Sequence, residues 1–251
     1  MPALLSLLLE IGSDRGAAYR ESHLPGAQYF DTNWVERAPL WNCLPLTELH
    51  PLLLANGITA DTPVAVYGRD TTPAARVAVI LLYAGVRDVR LLDGGFSLGG
   101  QLSSEGHAPS GTPFVPRPEI LASAVDVRHA LADPNSLVVC TRSRAEFTGQ
   151  TSGYDYFDCR GRIAGSVWGG AESMAFFRNA DGTFRDVSAD WQARGITPDK
   201  RIIFYCGTGW RASEAFWAAR KLGWTNIAVY DGGWLEWSAD AANPVEAGTP
   251  L

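Results

Sequence analysis

One stretch of this chain occurs twice. VAVYGRDTTPAARVAVILLYAGVRDVRLLDGGF begins at Val64, and IIFYCGTGWRASEAFWAARKLGWTNIAVYDGGW begins at Ile202. Both read as strand, loop, helix, strand and turn. Tyr precedes the loop in each (Tyr67, Tyr205), Gly follows the helix (Gly85, Gly223), and DGG with an aromatic closes the stretch. Gly68 and Asp93 stand 25 residues apart, as do Cys206 and Asp231. A shared offset over so many features means a tandem duplication, so the chain folds as one unit used twice.

Each copy also carries an earlier apolar run, LLSLLLEI (4–11) and SLVVCT (136–141), followed by a loop, HLPGAQYF (23–30) and RIAGSVWG (162–169). Short β-rich runs alternating with helical stretches such as Ser213 to Leu222 predict βα units: an α/β fold with a mainly parallel central sheet flanked by helices in each of two tandem domains. Pro and Gly gather in GHAPSGTPFVPRP, which makes 106–118 a linker between a first domain at 1–105 and a second at 119–251.

The 251 residues are 46% hydrophobic and 19% charged with a mean hydropathy of −0.05, enough apolar surface for two cores. A net charge of −6 and the lack of any basic run argue against nucleic acid and membrane partners, and no segment is apolar over the length of a bilayer. Cys43, Cys140, Cys159 and Cys206 are scattered and form no C-x-x-C pair. Reduced thiols in the cytoplasm are expected. MPALLSLLLEIG lacks the basic start, long apolar region and A-x-A site of a signal peptide, and the periplasm is the alternative if such a signal was removed.

Cys206 ends an apolar run, at the carboxyl end of a strand where parallel sheets bind ligands. A helix expected to start near Ala212 or Ser213 offers unpaired N–H groups and a positive dipole end. Gly207 and Gly209 let successive N–H groups converge as an anion-binding nest, and Arg211 adds a permanent cation at the rim. These features lower a thiol's pKa and suit a nucleophile that carries or attacks an anionic group. The alternative is a small buried Cys beside a glycine turn. The first copy argues against it, because it keeps strand, helix and DGG around GRDTTPA with no thiol, so folding does not need the cysteine. Cysteine phosphatases carry C-x5-R around a tetrahedral phosphate, whereas Cys206 to Arg211 is C-x4-R, so phosphatase or arsenate-type chemistry is the weaker enzymatic alternative.

CGTGWR followed by AS, with YDGGW downstream, resembles the active loop of the rhodanese (thiosulfate sulfurtransferase) family, in particular its tandem-domain bacterial members. HLPGAQYFD resembles the family's H-[IV]-P-G-A segment, and LVVCTRSRAEF its D-x-R…EF segment. The resemblance spans both halves. It implies an inactive N-terminal domain, with Gly68 in place of Cys, and a catalytic C-terminal one. It also implies a two-step relay without metal or organic cofactor. Cys206 takes the outer sulfur of a small anionic donor such as thiosulfate, and an acceptor (cyanide, a thiol, or a protein thiol such as a thioredoxin-like one) removes it from the persulfide. Gly207, Thr208, Gly209, Trp210 and Ala212 would surround the charged sulfur, and Arg211 would anchor the donor anion. A persulfide carrier or redox-sensing partner protein with little turnover is the competing class.

Three departures from the family stand out. Cys140 occupies the place of an Asp, and is expected to be a buried structural residue rather than a resolving thiol. Glu146 lies where two-domain thiosulfate and mercaptopyruvate enzymes tend to have a substrate-binding Arg, a role that could pass to Arg211 or to Arg142, Arg144, Arg160 or Arg162. The excursion TGQTSGYDYFDCRG (148–161) is either part of the site's mouth or an inert surface loop. Trp210 is a wall candidate. Trp168, Trp234 and Trp237 are expected in the core, and His23, Asp93 and Asp231 as structural residues.

Overall fold

The computed structural model describes residues 6–92, 94, 112–170 and 174–249. The chain divides into two compact units, the first running to Ile120 together with Asp181–Thr183, the second taking Leu121–Ala180 and the chain from Phe184 onward. Of the expected linker, 106–111 lies outside the described residues, as does Asp93. Residues 112–118 lie along the first unit: the Arg117 N–H donates to the Tyr83 carbonyl (2.8 Å), and Phe114 stacks on His50 with ring centroids 4.4 Å apart.

The first unit contains β1 (Leu7–Gly12), α1 (Ala17–Glu21), β2 (Gln28–Asp31), β3 (Glu36–Arg37), β4 (Asn42–Cys43), α2 (Leu46–Ala55), β5 (Val64–Gly68), α3 (Thr71–Ala84) and β6 (Val89–Leu91). The second contains β7 (Leu121–Ala122), α4 (Ala124–Ala132), β8 (Ser136–Cys140), α5 (Arg144–Phe147), β9 (Arg162–Ile163), β10 (Val167–Trp168), α6 (Ser188–Gln192), β11 (Arg201–Tyr205), α7 (Trp210–Lys221), β12 (Ile227–Tyr230), α8 (Gly233–Ala239) and β13 (Val245–Glu246).

The main sheets are wholly parallel, ordered β2-β1-β5-β6 and β10-β8-β11-β12-β7. The first four strands of the second sheet repeat the order of the first, and β7 adds an edge. Sheets covered on both faces need strands apolar throughout, which is why all five residues of β5 are buried. The segments read as loops after the first strand of each copy end in strands, because QYFD and VW pair with β1 and β8.

A hydrogen bond shared by both copies ties each loop to its sheet. The hydroxyl of Tyr67 accepts from the Leu24 N–H (3.0 Å), and that of Tyr205 accepts from the Ile163 N–H (3.2 Å). Leu24 and Ile163 occupy matching places in HLPG and RIAG. The copies then diverge. Tyr67 donates to the buried Glu10 carboxylate (2.5 Å). The Ser166 hydroxyl spends its proton on the Ile163 carbonyl (2.6 Å), so Tyr205 donates to Ser166 Oγ (2.9 Å).

Sheet register pairs Glu10 with Tyr67 and Cys140 with Tyr205, so Glu10 and Cys140 hold equivalent positions. Cys140 is fully buried. Beside it the Arg142 guanidinium, also fully buried, donates to the Gly161 carbonyl (2.6 Å) and lies over the rings of Trp234 (4.9 Å) and Tyr205 (5.7 Å). Its Nε and Nη1 have no hydrogen-bond partner. A buried cation without a carboxylate is costly. Cys140→Asp, close to Cys in volume, is therefore expected to raise stability by about 1 kcal/mol, read as a higher urea midpoint, whereas Cys140→Ala should lower it.

Candidate active site

β11 delivers Cys206 to the carboxyl end of the second sheet, with the residue only 2% exposed. Helix α7 begins at Trp210, earlier than the sequence suggests. Gly209, at φ 91°, turns the chain in the left-handed region, and the Ser213 N–H reaches its carbonyl (2.9 Å) to close the first helical turn. Trp210, Arg211 and Ala212 therefore form that turn, with N–H groups that lie before the first intrahelical bond and a positive dipole end. Gly207 has no unusual backbone angle and serves a different need: a Cβ there would collide with the Tyr154 hydroxyl.

The DGGW turn shapes the loop from behind. The N–H groups of Trp234 and Leu235 donate to the carbonyls of Cys206 (2.7 Å) and Gly207 (3.0 Å). In a trans peptide the C=O and the following N–H point to opposite sides. Tying those two carbonyls to α8 thus turns the N–H groups of Gly207 and Thr208 the other way, away from α8. The close approach requires Gly233, at φ 57°, where a Cβ would strike the carbonyl oxygen of Gly207. Trp234 is wholly buried, and its indole N–H donates to the Cys159 carbonyl (2.9 Å), linking the loop to the end of the 148–161 excursion.

Arg211 is not a free cation at the rim. Its Nη1 and Nη2 fork onto Glu146 at 2.8 and 2.7 Å, and Nη2 also donates to the Tyr154 hydroxyl. Glu146 is held by a capping box with Ser143 at the start of α5. Burial pushes the Glu146 carboxyl up, but the Arg211 fork and the Ser143 N–H outweigh it and leave the group below its ordinary value. Glu146 and Arg211 are partners, so the missing family Arg is not simply replaced by an unattached one.

The excursion contributes the wall. Tyr154, Tyr156 and Phe157 form a ring cluster with centroids 4.6–5.4 Å apart. Burial pushes both phenols up, so both stay protonated. Sequence reasoning did not single out either tyrosine, although YDYF in a polar, Gly-rich stretch was the available signal.

Other residues fall outside the loop. Arg160 pairs with exposed Asp158 (3.1 Å), Arg162 with Glu246 (2.9 Å), and Arg144 lies over Trp168 (5.0 Å). Trp237 is wholly buried, and Trp168 packs half-buried against the same core. His23 is exposed and stacks on Tyr19 (4.0 Å). Among the described residues no group of three His, Cys, Asp or Glu side chains could hold a metal, and no helix is long and apolar enough to cross a membrane.

In the first unit the equivalent place lacks the thiol, and a cavity lined by Glu10, Gly12, Asp14, Tyr29, Arg69 and Asp70 lies beside it. A Cβ on Gly68 would collide with the Asp70 carbonyl, and the Asp70 carboxylate accepts from the Thr72 N–H (2.9 Å) at the start of α3. The unit fills its own helix N-terminus with an anion, whereas Gly209 brings no side chain to cap that of α7.

The rhodanese-like domain model matches residues 13–99 and 123–240. The chain belongs to the rhodanese-like family. It is 47% identical over 247 residues to the thiosulfate sulfurtransferase YnjE of Escherichia coli K12, covering 92% of this chain and 57% of that protein. The crystal structure of YnjE superposes with a TM-score of 0.91 at 44% identity, over 99% of this chain and 64% of that one. The chain thus spans less than two thirds of that relative. A putative thiosulfate sulfurtransferase of Haloferax volcanii is 32% identical over 260 residues, covering 96% of this chain and 88% of that protein. A structure of EanB, with ergothioneine covalently linked to a persulfide cysteine, aligns at 36% identity and a TM-score of 0.90, over 100% of this chain and 67% of that one.

Two outcomes test this geometry. Gly233→Ala, strained at positive φ and in collision with the loop, should destabilise the second unit by roughly 1–3 kcal/mol and sharply slow alkylation of Cys206. The Glu146 carboxyl titrates below the 4.5 of a free one, so the ion pair contributes fully above that value and its contribution is lost as the pH falls through the lower folded one. The stability gap between the wild type and Glu146→Gln should hold from about pH 7 to 5 and shrink at more acid pH.

Proposed function

We propose that this chain is a sulfurtransferase that moves a sulfane sulfur from a small anionic donor such as thiosulfate, through a persulfide on Cys206, to a thiophilic acceptor. What carries the reading is the Cys206 loop, whose carbonyls are tied back to α8 so that its N–H groups and the open end of α7 surround the thiol. Family membership and the sulfurtransferase names of the relatives support it. The Cys206 thiolate attacks the outer sulfur of the donor, the donor S–S bond breaks, and sulfite leaves with the electron pair. The acceptor (cyanide, a thiol or a protein thiol) then attacks the outer sulfur of the persulfide and restores the thiolate.

Gly207, Thr208, Gly209, Trp210 and Ala212 line the sulfur's cradle. Arg211, braced by Glu146, offers its remaining N–H groups to the donor anion. The catalytic domain is 119–251. The domain at 1–105 is inactive because Gly68 replaces the thiol and Asp70 fills the helix N-terminus. Four cysteines outside any disulfide, with Cys159 exposed, favour a reducing compartment such as the cytoplasm.

Intact mass spectrometry after incubation with thiosulfate, mercaptopyruvate or glutathione persulfide tests the reading. One sulfur should add to the wild type and none to Cys206→Ser; no uptake from any donor, or equal uptake by the variant, overturns it. A related protein of Thermus thermophilus is named a sulfur carrier. A stable persulfide with negligible turnover to cyanide would place this chain in that class. Arg211→Lys keeps the charge but loses the fork, and should raise KM for thiosulfate roughly tenfold or more with a smaller fall in kcat.

A further inference from the structure

The excursion at 148–161 is closed at its neck by β13 and the residues after it. Antiparallel pairing sets Val245 opposite Ile163 and Glu246 opposite Arg162, and the Gly248 N–H donates to the Thr148 carbonyl (2.8 Å). Both ends of the excursion therefore meet on residues 246–248. The fit there is close: a Cβ on Gly161, at φ 107°, would strike the Glu246 carbonyl. Arg162 joins the three segments of this neck. Its side chain is 6% exposed. Nη1 donates to the Gly248 carbonyl (2.8 Å) and, at 3.4 Å, to that of Phe147, while Nη2 donates to the Glu246 carboxylate (2.9 Å). The guanidinium also lies over the Phe147 ring, 4.7 Å from its centroid.

Phe147 follows Glu146 in α5, and Tyr154 stands within the excursion. These are the two side chains that hold Arg211, the carboxylate through a fork and the phenol through its oxygen. Each reaches the loop from a segment that Arg162 fastens. We infer that Arg162 is a positioning residue for the reaction: by fastening both ends of the excursion it sets where Glu146 and Tyr154 hold the Arg211 guanidinium. The inference rests on the reading of Arg211 as the anchor of the donor anion. A guanidinium binds an anion well only when its planar donors are already aimed. Slack at the neck lets Arg211 swing, which weakens donor binding more than the attack on sulfur. An arginine suits the task because its fixed fan of N–H groups reaches several acceptors at once.

Arg162→Gln removes the charge and the reach to Gly248. KM for thiosulfate should rise several-fold with a smaller fall in kcat, the pattern expected of Arg211→Lys. Glu246→Gln weakens only the carboxylate contact, on a side chain 46% exposed, and should keep KM near the wild-type value. In a double-mutant cycle, Arg162→Gln and Glu146→Gln together should raise KM by less than the product of their separate effects, because both act through Arg211. If Arg162→Gln does not fold, Arg162→Lys, which keeps the charge facing Glu246, should show a smaller rise in KM and the same coupling. A lowered urea midpoint with an unchanged KM, or effects in the cycle that simply multiply, would make Arg162 a packing residue and overturn the inference. A wild-type KM in Arg211→Lys would sink the anchor reading instead. Hydrogen exchange across 148–161, faster in Arg162→Gln but not in Glu246→Gln, would then still decide whether Arg162 fastens the excursion.

Discussion

The reactive loop takes its form from two peptide hydrogen bonds: the first N–H groups of α8 hold the carbonyls of Cys206 and Gly207 at 2.7 and 3.0 Å. A backbone carbonyl and the next N–H cannot both face the sulfur, so committing the carbonyls elsewhere leaves the N–H groups for the guest. The rest of the site is arranged around that constraint. Gly233 lets α8 come close enough, Trp234 anchors α8 in the core, and the indole of Trp234 reaches Cys159 at the end of the excursion that brings Tyr154.

Duplication makes the chemistry readable by contrast. Both units keep the sheet order and the tyrosine hydroxyl that catches the backbone of the preceding segment. They part at the helix N-terminus after the central strand. In the first unit Asp70 supplies an anion from the chain itself. In the second, Gly209 caps α7 without a side chain. The same dipole end that stabilises a fold in one copy is left available in the other. Glu10 and Cys140 show the reverse trade at one register position: the first unit keeps a buried carboxylate with partners, and the second leaves the buried Arg142 short of one.

Much of this was legible before any coordinates. The repeat, the α/β class, the strand end at Cys206 and the helix after it follow from spacing and from apolar periodicity, which are local properties of the chain. Glycine positions were legible as turns, but their reasons were not. In sequence Gly207 offers backbone freedom, yet what it provides in the fold is room for Tyr154. The start of α7 at Trp210 lies ahead of the Ala212 or Ser213 that the sequence suggests, because a left-handed Gly209 with no capping side chain gives no sequence signal for an N-terminus.

Arg211 marks the boundary between the two kinds of knowledge. Sequence alone determined that a permanent cation follows the cysteine in a six-residue loop, since residue identity and loop length are covalent facts. Only the tertiary structure decided what that cation does, because Glu146 and Tyr154 lie 65 and 57 residues away along the chain. An ion pair and a shared hydroxyl formed over such separations depend on how the sheet and the excursion bring distant segments together. No local pattern encodes which of several arginines and carboxylates will meet.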